Sequence, residues 1–113
     1  MEYSAFSHYI ELGYNKMQER YWQIREVTKG LLLEFADTAQ KQQISFVAAG
    51  ITQSQPTRDM LSFVRENGYE AVDMAVDLRI KENLNPHDGH PSALANQQYA
   101  DKLEAFLRTE VLK

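Results

Sequence analysis

The stretch from Ile44 to Ile51, ISFVAAGI, limits the possible folds of this chain more than any other. It is apolar except for Ser45, contains the β-branched residues Ile44, Val47 and Ile51, and lies between two segments of helical periodicity. A short run of this kind predicts a strand buried on both faces, as central strands of parallel sheets are. On its N-terminal side, from about Gln18 to Gln42, Ile24, Val27, Leu31, Leu32, Phe35 and Ala39 recur at intervals of three and four, which predicts an amphipathic helix with Gly30 as its weak point. On its C-terminal side TQSQP breaks the chain. TRDMLSFVRENG then places Met60, Leu61, Phe63 and Val64 at helical spacing, with Gly68 where a helix stop is expected.

A second strand is predicted in YEAVDMAVDL, interrupted by Asp73 and Asp77. The polar loop RIKENLNPHDGHP leads into a last helix striped by Leu94, Tyr99, Leu103, Phe106, Leu107 and Val111. Helix, strand, helix, strand, helix implies right-handed βαβ crossovers, and so an α/β fold with a parallel sheet and flanking helices. Ligands of such sheets sit beyond the carboxyl ends of the strands, which puts the HDGH loop on the functional edge.

With 113 residues, and neither repeat nor linker, one domain spanning 1–113 is expected. There is no apolar run of 18 residues to span a bilayer, and MEYSAFSHYIEL lacks the basic and apolar regions of a secretion signal, so cytoplasm is the default compartment. The absence of cysteine excludes disulfides, thiolate nucleophiles and Cys-ligated zinc. A net charge of −4 with no run of Lys and Arg argues against nucleic acid as a partner, and no cofactor is implied.

The chemistry concentrates in His87, Asp88 and His90. A histidine base needs a fixed tautomer and a carboxylate to stabilise the imidazolium. Gly89 between Asp88 and His90 allows a tight turn that brings both side chains to one side. Pro91 and Ser92 suit a helix start, where the helix dipole would favour a neutral imidazole. The same residues also fit a purely structural junction, with Asp88 capping the helix and His90 on the surface. A metal site of His87, Asp88 and His90 is the third reading, weakened by the lack of a fourth ligand. Trp22 and Tyr21, with Tyr14, Tyr9 and Tyr3, are expected to pack against the sheet, the alternative being the lining of an acyl or glycan pocket. His8 stands alone. Asp73 and Asp77, near the carboxyl end of the second strand, are expected to cap or face solvent.

DGHPSALANQQYADKLEAFL resembles the C-terminal block of the SGNH (GDSL-type) esterase and lipase family, through Asp88, Gly89, His90, Pro91, Ser92 and Ala93 and then Ala100, Leu103, Phe106 and Leu107. ISFVAAGI, MLSFVRENG and YEAVDMAVDL resemble that family's penultimate strand, helix and last strand, and YSAFSHYIE with VTKGLLLEFADTAQ resembles the helical region before them. The resemblance implies the C-terminal half of a three-layer αβα (flavodoxin-like) SGNH domain, carrying its last two strands. His90 would be the general base and Asp88 its orienting carboxylate in a serine ester hydrolase working through an acyl-enzyme. The family's Gly-Asp-Ser nucleophile block and its glycine and asparagine oxyanion blocks are missing. Asn15 in ELGYNK is a candidate oxyanion donor without the preceding strand, and Ser4, Ser7, Ser45, Ser54, Ser62 and Ser92 do not occupy a strand-to-helix elbow. One residue separates Asp88 from His90 where many members have two. The chain is therefore expected to be inactive alone, to take an ester substrate only when completed, and to expose ISFVAAGI as an apolar edge. Such an edge favours a homo-oligomer or docking on a complementary N-terminal fragment. The alternative function is a non-catalytic α/β interaction module that self-associates.

Overall fold

The computed structural model describes residues 5–112, with side chains from Ile10 onward. What was expected of the side chains of Tyr3, Ser4, Ser7, His8 and Tyr9 lies outside the described residues. The elements are α1 (Ala5–Lys41), β1 (Val47–Gly50), α2 (Gln55–Glu66), β2 (Glu70–Asp73), a short 3-10 turn (Lys81–Asn83) and α3 (Ala93–Phe106), which runs on into a wider π-helical turn (Leu107–Val111).

A three-layer αβα domain is not what forms. The molecule is mostly helical, and among the described residues its sheet consists of β1 and β2 alone, four residues each, paired in parallel from Val47 opposite Glu70 to Gly50 opposite Asp73. Local chemistry shortens both strands. β1 starts late because α1 ends in a left-handed residue, Gln43 at φ 59°, with the Ile44 amide bonded back to the Ala39 carbonyl at 2.8 Å. It stops at Gly50 because Ser54 caps α2 four residues later, its Oγ accepting from the Thr57 amide. β2 ends where the Asp73 carboxylate accepts the Ala75 amide at 2.9 Å, turning the backbone out of the ladder.

Burial also departs from expectation. The apolar run around β1 was expected to be covered on both faces, yet Ile44, Ala49 and Ile51 are exposed and Val47 and Ala48 only half-buried. The strand with the aspartates is the deeper one: Ala71, Val72, Met74, Ala75 and Val76 are all buried. The core is small, with Leu61 and Val64 of α2 on Ala71, flanked by Leu32, Phe46, Ala48, Phe63 and Tyr69. Gly50 lets the helix close on the sheet, since a Cβ there would meet Thr57 Cγ2 at 2.6 Å and Leu61 Cδ1 at 2.8 Å.

α1 runs beyond this body, and its 37 residues set the long axis of a molecule 66 × 40 × 20 Å. The radius of gyration is 19.1 Å, against about 13 Å for a compact chain of this length. α1 meets α2 through Arg25, which pairs with Asp59 at 3.4 Å, and Lys29, whose ammonium lies 5.1 Å from the centre of the Phe63 ring. The described N-terminal aromatics do not pack on the sheet. Tyr14, Tyr21 and Trp22 are exposed, Trp22 lying edge-on to Tyr21 at 6.0 Å and beneath the Arg25 guanidinium at 5.3 Å. No helix among the described residues is long and apolar enough to cross a membrane.

Candidate functional site

After β2 the chain makes two polar loops before α3. In the first, the Asp77 carboxylate accepts the Arg79 amide at 2.9 Å through Oδ1 and pairs with the guanidinium at 2.9 Å through Oδ2. The hydrogen bonds from the Arg79 side chain, then from its amide, hold the Asp77 carboxyl below the ordinary carboxylate range, and Asp77 in turn holds the Arg79 guanidinium above its own. In the second loop the Asp88 carboxylate accepts the His90 amide at 3.0 Å through Oδ1, and Oδ2 lies 3.2 Å from His90 Nδ1. Gly89, at φ +73°, provides the turn between them.

The second loop is closed as a small ring. Asn85 donates its amide to the His90 carbonyl at 2.7 Å and accepts the Gly89 amide at 3.1 Å, while the Asn85 side chain accepts the His87 amide. Leu84 pairs with Pro91 as an isolated antiparallel bridge. Ser92 fastens the exit, donating its hydroxyl to the Glu82 carbonyl at 2.7 Å and accepting the Ala95 amide as the N-cap of α3. Pro91 therefore precedes the cap rather than opening the helix, and Asp88 caps its own turn rather than α3.

Asn83 ties the two loops together, although nothing in its polar surroundings singles it out in the sequence. It is 3% exposed. Its side chain donates to the Asp77 carbonyl at 2.8 Å and accepts from Gln98 of α3 at 2.9 Å, and its carbonyl accepts the Ser92 amide at 2.9 Å. A buried amide satisfied on both sides is a strong local constraint, because loss of either partner leaves a desolvated polar atom.

Asp88 and His90 are thus brought together as the sequence suggested, in the order a general base requires: carboxylate on Nδ1, Nε2 left for a reaction partner. Their side chains are 50% and 78% exposed, so the pair stands in water. The described serines are not brought to it. Ser92 is committed to Glu82 and Ala95, Ser54 shares hydrogen bonds with Thr57, and no described serine hydroxyl bonds His90. Asn15 sits exposed within α1, not in a strand-to-helix loop. No described group of three His, Cys, Asp or Glu side chains is arranged to hold a metal ion.

An open cleft of about 640 Å³ does lie at the carboxyl ends of β1 and β2, lined by residues such as Thr52, Arg58, Asp73 and Arg79. Neither Asp88 nor His90 lines it. Arg58 and Arg79 were not picked out in the sequence, since isolated arginines carry no pattern. Each already donates through Nε and Nη2, Arg58 to Gln55 and Arg79 to Asp77.

Comparison with protein-family models, curated proteins and solved structures gives no match.

Proposed function

We propose that this chain carries the acid–base arm of a serine ester hydrolase of the SGNH kind, with the nucleophile supplied from outside residues 1–113. One observation carries the reading: Asp88 Oδ2 at 3.2 Å from His90 Nδ1, in a loop ring that fixes both residues. The carboxylate favours the tautomer with the proton on Nδ1, which leaves Nε2 basic. Nε2 would take the proton of an incoming serine hydroxyl as its oxygen attacks the ester carbonyl, then return it to the departing alcohol. Asp88 would stay ionised and stabilise the imidazolium. The reading needs only the loop, which α3, Asn83 and Ser92 hold in place. Because an exposed pair gains little from its Coulomb attraction, the segment bringing the serine would also have to exclude water.

The test uses a fluorophosphonate probe and a short-chain nitrophenyl ester. The chain alone is expected to be silent. Addition of a serine-bearing segment of the SGNH kind should give labelling and turnover, both abolished by His90→Ala and reduced by Asp88→Asn. Silence under both conditions contradicts the reading. It would favour a second one, a non-catalytic module that self-associates, which the exposed apolar side chains along α1 support.

A further inference from the structure

α1 carries an apolar stripe on a different side from the face it turns to α2. Ile10, Tyr14, Met17, Tyr21 and Ile24, then Thr28, Leu31, Phe35 and Thr38, alternate steps of four and three without a break. That is the 3.5-residue repeat of a coiled-coil seam, with Tyr14, Tyr21, Thr28 and Phe35 at the a positions and the others at d. Apart from half-buried Thr28 the seam is bare: Met17 is 73% exposed, Phe35 68% and Leu31 51%. Arg25, Lys29, Leu32 and Ala36, by contrast, are covered wholly or in part.

We infer that a second copy of this chain covers the seam, as an antiparallel α1–α1 coiled coil centred near Val27. The inference rests on the self-association reading above and names the surface that would do it. Charge selects the occupant and its direction. In this register the flanking g positions set Arg20 against Glu34 of the second copy, twice by symmetry. Neither residue has an ion-pair partner among the described residues. A parallel pairing would instead set Arg20 against Arg25 and leave Glu34 opposite Ala39. The same antiparallel register seats Tyr21 against Leu31 and Phe35 against Met17, an aromatic with an apolar chain in those two layers. Shape agrees as well. Leu31, Glu34, Phe35 and Thr38 line a concavity, the four-residue hole of a coiled coil, and Met17 of the second copy is the knob that faces it. Arg25 would meet its own copy, but each guanidinium is already held by Asp59 at 3.4 Å.

The test is sedimentation equilibrium on the full chain. A dimer is expected, weakened at least tenfold by Leu31→Glu with the helical circular dichroism of the body unchanged. Arg20→Glu and Glu34→Arg should each weaken it about fivefold, and the double variant should restore it. Because the chain has no cysteine, Val27→Cys should give a disulfide-linked dimer, and Thr28→Cys, the pair close in a parallel coil, should not. A monomer at hundreds of micromolar would overturn both self-association and this surface. A dimer indifferent to Leu31→Glu would overturn the surface alone, leaving association through another face such as the open edge of β1. Cross-linking through Thr28→Cys rather than Val27→Cys would overturn the antiparallel order.

Discussion

The two loops after β2 repeat one local design with different residues, Asp77-Leu78-Arg79 and Asp88-Gly89-His90. In each, the first oxygen of an aspartate accepts the amide two residues on, and the second faces the side chain of that same residue. The hydrogen-bond pattern is therefore not what distinguishes a structural pair from a chemical one. A guanidinium cannot release its proton near neutral pH, so the Asp77–Arg79 pair can only brace its loop. An imidazole can, and its second nitrogen remains open, so the Asp88–His90 pair can move a proton. The linker residue differs too. The second loop needs a positive φ at Gly89, whereas Leu78 is not left-handed.

The change expected to have the largest effect breaks both loops together. Asn83→Ala removes the amide that joins the Asp77 carbonyl to Gln98, and should cost about 1–3 kcal/mol in denaturant unfolding, with loss of amide-exchange protection in both loops. Next, Gly89→Ala should cost about 1 kcal/mol, because a left-handed φ is strained for alanine although a Cβ there meets nothing within 4 Å. Leu78→Ala, its counterpart, should cost less.

The smallest effect is a pH dependence. The folded Asp77 carboxyl sits below its ordinary value of 3.8, so its contribution is full above that value and is lost as pH falls through the lower, folded one. Arg79→Ala should flatten that acid limb of the stability curve. An unchanged limb would mean that the backbone amide alone holds the carboxylate.

Local spacing made some of this legible and long-range packing hid the rest. The Asp-Gly-His turn lies within three residues, so residue types alone implied the Asp88–His90 approach, and the helical stripes of α2 and α3 were readable for the same reason. The length of the strands was not. Asp73 ends β2 by bonding a backbone amide two residues on, and periodicity does not record that competition. Nor was burial legible, because Ile44 and Ile51 are as apolar as the core yet both side chains stay exposed. Asn83 was hidden most completely, since its side-chain partners, the Asp77 carbonyl and Gln98, lie six and fifteen positions away. The seam on α1 was legible only in part, because Ile24, Leu31 and Phe35 share their periodicity with Leu32, which packs against the core.

The most direct test of the Asp88–His90 pair as an acid–base arm is the tautomer of neutral His90, read from long-range nitrogen–proton couplings in the intact chain. The proton should reside on Nδ1, with Nε2 unprotonated, and Asp88→Asn should shift the balance toward Nε2–H. A wild-type His90 that is mainly Nε2–H, unaffected by that substitution, would show that the carboxylate does not orient the ring and would contradict the proposed role.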